Sequence, residues 1–149
     1  MTQCITIPGQ PGHKGRPRFT RSGHVYTPAA TKAWENRVKA HASTLCRIDD
    51  GAITVIIIAR FQILKSDIRK RDPRPLRWKS TKPDCDNIEK GILDALNGLA
   101  WGDDAQISTC LTLKQYAAQG EDPSTVVVLA PAAAPQEISN QLTYLLNHV

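Results

Sequence analysis

The period of the apolar positions changes several times along the chain, and each change marks an expected element. Cys4 to Ile7 alternates weakly and predicts a short first strand; Pro8 and Pro11, with Gly9, Gly12 and Gly15, then break regular structure. Thr27-Pro28 reads as a helix start, with Thr27 as N-cap and Pro28 at the first helical position. Trp34, Val38 and His41 or Ala42 mark one face of that helix, which is expected to run to about Ser43. After a turn at Asp49-Asp50-Gly51, the β-branched run within Ala52 to Ile63 predicts a well-covered central strand. Ile88, Ile92, Leu93 and Leu96 return to helical spacing, and that helix should end near Asn97-Gly98. Ile107 to Leu113 and Thr125 to Leu129 read as strands, with a polar turn over Gln115 to Asp122 between them. Pro131-Ala-Ala-Ala-Pro135 interrupts this, and Glu137 to Asn147 reads as a short helix with Ile138, Leu142 and Leu145 on one side.

These elements amount to an α+β fold, a small mixed sheet of about four to five strands with two main helices. Residues 1–130 form the expected domain and 131–149 an extension packed on it or on a dimer interface. At 149 residues, one domain buries about 68–70% of its unfolded surface, so neither metal nor disulfide is needed to complete a core. The four cysteines (4, 46, 85 and 110) form no CxxC pair, which argues against a zinc site or disulfide scaffold. Reduced cysteines and a cytoplasmic location follow. The longest apolar run, Val55–Ala59, is too short to cross a bilayer.

Charge changes the picture through its distribution. Residues 1–90 hold 18 Lys and Arg against 8 Asp and Glu, whereas residues 91–149 hold only Lys114 against 6 acids. Basic residues cluster in two irregular stretches. Lys14, Arg16, Arg18 and Arg21 share a proline-interrupted segment with Phe19 and Tyr26, which suits phosphate contact and leaves Phe19 as either a wedge or an anchor. Arg69, Lys70, Arg71, Arg74, Arg77, Lys79 and Lys82 form an extended or mobile loop, in which Trp78 either stacks on a base or fixes the loop.

That second loop leads into Asp84 and Asp86, two carboxylates at a helix start, with Lys90 one turn beyond Asp86. Asp103 and Asp104 follow the helix. If the next strand runs back beside the helix, one of this second pair can approach Asp84 and Asp86. Three ionised carboxylates around one point repel, and a hard cation such as Mg²⁺, or Mn²⁺ in its place, relieves that repulsion. Lys90 is then placed to stabilise charge on a phosphate under attack. Asp49 and Asp50 read as a solvated turn, and Cys85 is expected to face the core. No Walker A loop or GxGxxG is present, and none of the four histidines lies near the acids in sequence. A nucleotide cofactor and a Ser/His/Asp site are therefore not expected.

The run Asp84-Cys-Asp86-Asn87-Ile-Glu-Lys90, then Asp94-Ala-Leu96, then Trp101-Gly-Asp103-Asp104-Ala-Gln106, resembles the RusA-type Holliday junction resolvases of phages and prophages. That family shows D-x-D-N-x-x-K, D-A-L and W-x-D-D-x-Q. The likeness extends over about residues 4–130, and the basic opening resembles phage members while departing from the Asn-rich opening of others. It implies a homodimer that binds four-way DNA junctions and uses Mg²⁺ or Mn²⁺ to nick two strands symmetrically. It places the metal-binding aspartates on Asp84, Asp86 and Asp104, the essential lysine on Lys90 and a supporting acid on Asp103. The alternatives are a non-catalytic junction-binding protein, or a general branched-DNA or flap nuclease.

Overall fold

The central strand forms where the β-branched run predicts it. The computed structural model of the chain describes residues 1–137, and in it β4, Ile53–Phe61, alternates buried and half-buried positions along its whole length. Five strands make one sheet in the order β1-β7-β4-β6-β5. β1 is Gln3–Pro8, β5 Arg77–Trp78, β6 Ile107–Tyr116 and β7 Ser124–Pro131. β4 pairs parallel with β6 and antiparallel with β7, while β1 and β5 add antiparallel edges. A parallel pair cannot be joined by a tight turn. The crossover from β4 to β6 passes through the edge strand β5 and the helix α2, Cys85–Leu96. A separate two-stranded ribbon pairs β2, Arg18–Phe19, with β3, Val25–Tyr26, and α1 spans Ala29–His41.

Both helices pack on one face of the sheet. Trp34 and Val38 of α1 meet Ile88, Ile92, Ala95 and Leu96 of α2 over Ile5, Ile7, Val55, Ile57, Val127 and Leu129. On the opposite face Ile56, Ile58, Leu113, Val126 and Val128 are only half-buried and Leu111 is exposed. Their register makes them neighbours across β6, β4 and β7.

Several boundaries differ from expectation for identifiable reasons. Pro28, not Thr27, is the N-cap, because Pro28 is itself extended (ψ 141°) and the helical turn starts only at Ala29. β6 continues to Tyr116, since Lys114, Gln115 and Tyr116 pair with Ala59, Arg60 and Phe61. Cys85 is exposed instead of core-facing. The buried stripe of α2 begins at Ile88, so its first turn overhangs the core. The helix expected from Glu137 to Asn147 lies, after its first residue, outside the described residues.

The basic stretch before α2 is also more ordered than an open loop. It contains a 3₁₀ turn at Lys65–Asp67 and then β5. The Gln119 amide clasps it from across the sheet edge, accepting from the backbone N–H of Arg69 at 3.0 Å and of Arg74 at 3.4 Å, and donating to the Arg69 carbonyl at 2.9 Å.

Candidate active site and nucleic-acid interface

Asp84 and Asp86 sit at the N-terminal end of α2, where unpaired backbone N–H groups and the helix dipole favour negative charge. Asp84 is the N-cap residue, yet its carboxylate does not cap the helix. It turns instead to the Lys82 ammonium. That hydrogen bond, with the charges of Lys82 and Lys114, holds the Asp84 carboxyl below the usual carboxylate range. Asp86 and Lys90 are both exposed. Among the described residues neither belongs to an ion pair, and the Asp86–Lys90 pair that four-residue spacing allows is not formed.

Two side chains that sequence reading passed over hold this end of the helix in place. Lys114 reaches up from β6 and donates to the carbonyls of Thr81 and Pro83, both at 2.7 Å. It thereby fixes the strap that delivers Asp84. Its isolation as the single basic residue of an acidic segment was the signal that could have marked it. Beside it, Tyr116 accepts from or donates to the Thr81 hydroxyl at 3.3 Å and takes a hydrogen bond from Lys79 at 3.4 Å. The Thr81 contact first, then Lys79 and Arg77, hold the phenol below its usual pKa.

The second acidic pair is built differently. Asp103 accepts from the Ala105 N–H at 2.7 Å and caps the 3₁₀ turn Asp104–Gln106 in a reciprocal box with Gln106. The Gln106 amide also donates to carbonyls at Ile48, Asp49 and Gly51, at 3.3–3.5 Å. Trp101, fully buried, donates its indole N–H to Asp104 Oδ1 at 2.8 Å. Trp101, Asp103 and Gln106 thus form one local frame that orients Asp104.

That frame lies at the wrong end of α2 for one chain to close the expected site. Trp101 bridges to Asn97 and Ile48 at the C-terminal end of the helix. β6 does run back beside α2, as expected, but a strand that returns from the helix C-terminus necessarily begins there. The 12 residues of α2 set its two ends about 18 Å apart, with Asp84 and Asp86 at one and the Trp101 frame beside the other. Among the described residues no group of three or more His, Cys, Asp or Glu could hold a metal ion. The expectation that Asp104 meets Asp84 and Asp86 within one chain is therefore corrected.

The expected DNA-contacting residues divide in the same way. Lys14 is spent internally. Its ammonium lies 2.7 Å from Glu35 of α1 and 2.7 Å from Asp94 of α2, and the hydrogen bonds to Asp94 and then Glu35 raise its pKa above the ordinary lysine value. Arg77 pairs with Asp67 and lies over the Tyr116 ring, and Lys79 lies over Phe61 and Tyr116. Arg69 has only a loose pairing with Asp72 at 3.9 Å, and Arg74 is half-buried. Arg16, Arg18, Arg21, Lys70 and Arg71 are exposed and, among the described residues, free of ion pairs. Trp78 is 68% exposed and Phe19 72%, so neither ring anchors its segment to the core.

Residues 8–129 match the family described as Endodeoxyribonuclease RusA. The protein described as "Uncharacterized protein YqaN" from Bacillus subtilis (strain 168) is 32% identical over 143 residues, covering 88% of this chain and 99% of that protein. The family match takes in both basic stretches, α2 and the Trp101–Gln106 frame. The chain belongs to the RusA endodeoxyribonuclease family.

Proposed function

We propose that the protein resolves four-way DNA junctions by paired, symmetric phosphodiester nicks, as a homodimer with a divalent cation at each site. The observation behind this reading is the split of the acidic residues. Asp84 and Asp86 lie exposed at one end of α2, while Trp101 holds Asp104 at the other. A two-fold axis turns such a separation into an asset, because one end of each helix can meet the opposite end of its partner. The half-exposed apolar face around Ile56, Ile58, Leu111 and Val128 supplies a surface on which two copies can associate.

Two hard carboxylates with retained waters and a substrate phosphate oxygen suit Mg²⁺, with Mn²⁺ as a substitute. Asp84 and Asp86 would hold the cation, with Asp104 arriving from the second copy. When bound, the cation supplies Lewis-acid polarisation of a phosphate oxygen and an acidified water. Lys82 neutralises Asp84 until then and is free to turn to the DNA backbone. Lys90, free of ion pairs among the described residues and one turn beyond Asp86, stabilises negative charge on the phosphate. Asp103 acts through the turn that positions Asp104.

Mixed dimers test this directly. Asp86→Asn and Asp104→Asn proteins, each inert alone, are refolded together and given a labelled four-way junction with Mg²⁺. Site sharing regenerates one complete site per mixed dimer, so unpaired nicks return. No nicking despite mixed dimers verified by mass rules out sharing. A wild-type protein that binds the junction and never nicks it points instead to the non-catalytic alternative. Equal cutting of flaps and junctions points to a general branched-DNA nuclease.

A further inference from the structure

We infer that the β2–β3 ribbon is a wedge that enters the base stack at the branch point, with Phe19 and Val25 as its blade. This rests on the branched-DNA reading above. Phe19 pairs with Val25 and Arg18 with Tyr26, and neighbouring residues of a strand point to opposite faces. One face of the ribbon is therefore apolar and the other cationic and aromatic. Phe19 and Val25 are 72% and 61% exposed, so among the described residues the apolar face is left largely uncovered.

The tip is closed by its own hydrogen bonds. The Thr20 N–H donates to the His24 carbonyl at 2.9 Å, the Gly23 N–H to the Thr20 carbonyl at 3.0 Å, and the His24 N–H to the Thr20 hydroxyl at 3.1 Å. Gly23 takes φ 82°, which a side chain would strain. The foot is equally fixed. The Gly15 N–H donates to the Thr31 hydroxyl at 3.0 Å, and the Lys14 N–H to the Asn87 carbonyl at 2.8 Å. A Cβ on Gly91 would come within 3.2 Å of the Lys14 nitrogen, so the glycine allows this strand of backbone to lie on α2. Asn87 adjoins Asp86. The ribbon therefore rises from the same end of α2 as the exposed carboxylates.

Charge selects the occupant. No Asp or Glu occurs before Glu35, whereas Arg16, Arg18 and Arg21 flank Phe19 along the chain. A second copy of the same ribbon would be repelled; a phosphate backbone would be drawn in. Apolar side chains inserted between base steps unstack and kink a duplex, and a branch point has bases already open to such insertion. At the ribbon's foot a groove of about 440 Å³, lined by Arg16, Arg18, Pro11, Pro17 and Pro28 among others, offers a cation for a phosphate and flat apolar surfaces for a displaced base.

The test uses the full chain, chelator to prevent cutting, and a four-way junction with 2-aminopurine at its centre. Wild-type protein should raise the fluorescence as the central bases unstack. Phe19→Ala should abolish that rise and weaken junction binding by about tenfold, since one aromatic–base stack is at stake. Its duplex affinity, thermal midpoint and dimer mass should stay unchanged, and Phe19→Trp should restore the rise. A rise that survives in Phe19→Ala overturns the wedge alone. Loss of dimer with the rise intact also overturns it, and assigns the ribbon to self-association. A wild-type protein with no preference for the junction over duplex defeats the branched-DNA reading, a failure visible before any variant is made.

Discussion

Replacing Lys14 by Met tests whether this lysine serves DNA or the fold. The ammonium bridges Glu35 and Asp94, each at 2.7 Å, and the three side chains are 24%, 18% and 32% exposed. An exposed ion pair contributes about 0–1 kcal/mol, while breaking a buried one costs about 3–5 kcal/mol. This triad lies between those limits, and its loss leaves two carboxylates facing each other across the α1–α2 seam. A destabilisation of about 2 kcal/mol follows, which is about 4–8 °C in thermal midpoint for a domain of this size.

The pH dependence gives an independent check. The two carboxylates raise the folded pKa of Lys14 above its ordinary 10.5. A raised pKa contributes stability that is fully present below the unfolded value and is lost as pH climbs through the folded one. The gap between wild type and Lys14→Met, measured by urea unfolding, should thus stay constant from pH 7 up to the ordinary lysine value of 10.5 and narrow above it. The salt slope of DNA binding should not change, whereas a lost phosphate contact lowers it by about 0.9. A gap below about 0.5 kcal/mol at pH 7, or a reduced salt slope, would refute the assignment.

Three further outcomes follow from the same contacts. Trp101→Phe removes the only N–H held by Asp104 among the hydrogen bonds of that frame; cleavage should fall at least about tenfold, given the 1.5–3 kcal/mol typical of a hydrogen bond to a charge, while junction binding in chelator is retained. Unchanged cleavage would mean that Asp104 needs no such orientation. Gln119→Ala releases the Arg69–Arg74 loop, so trypsin should cut after Arg69 or Arg71 faster, with binding weakened but the salt slope intact; an unaltered digestion rate would deny the clasp. Burial, with Glu89 nearby, pushes the Cys110 thiol up to about 12, so iodoacetamide at pH 8 should label Cys4, Cys46 and Cys85 well before Cys110 by peptide mass. Equal labelling would contradict the environment described.

What the sequence made legible is what local patterning governs. The β-branched run around Ile57, the apolar stripe from Ile88 to Leu96 and the turn at Gly98 are each determined within a few residues, and each stands where it was expected. That Asp84 and Asp86 open a helix was readable for the same reason, since a helix start dictates its own neighbourhood. Contacts made across the fold were not. Lys114 acts 31 and 33 residues away, and Gln119 about 50 residues away. Both use side chain to backbone bonds, which leave no periodic trace. Lys14 was counted with the DNA-binding residues because a charge run does not disclose which of its members will find acids after folding.

The place of Asp104 was misjudged for a more instructive reason. A short acidic motif before and another after one helix look adjacent in sequence, yet a rigid helix keeps its ends apart by its own length. With about 18 Å between them, no rotamer change at Asp84, Asp86 or Asp104 can bring the three together in one chain. Asp104 is also held in place, since the indole N–H of a fully buried core tryptophan donates to it. Orienting a carboxylate so firmly at a distance from its intended partners makes chemical sense if those partners come from elsewhere. Under the proposed dimer, the stiffness of α2 sets the spacing between two shared sites and makes an isolated chain incapable of cutting. A single-chain nuclease would gain nothing from such an arrangement, which is why the mixed-dimer experiment bears on the function and not merely on the oligomeric state.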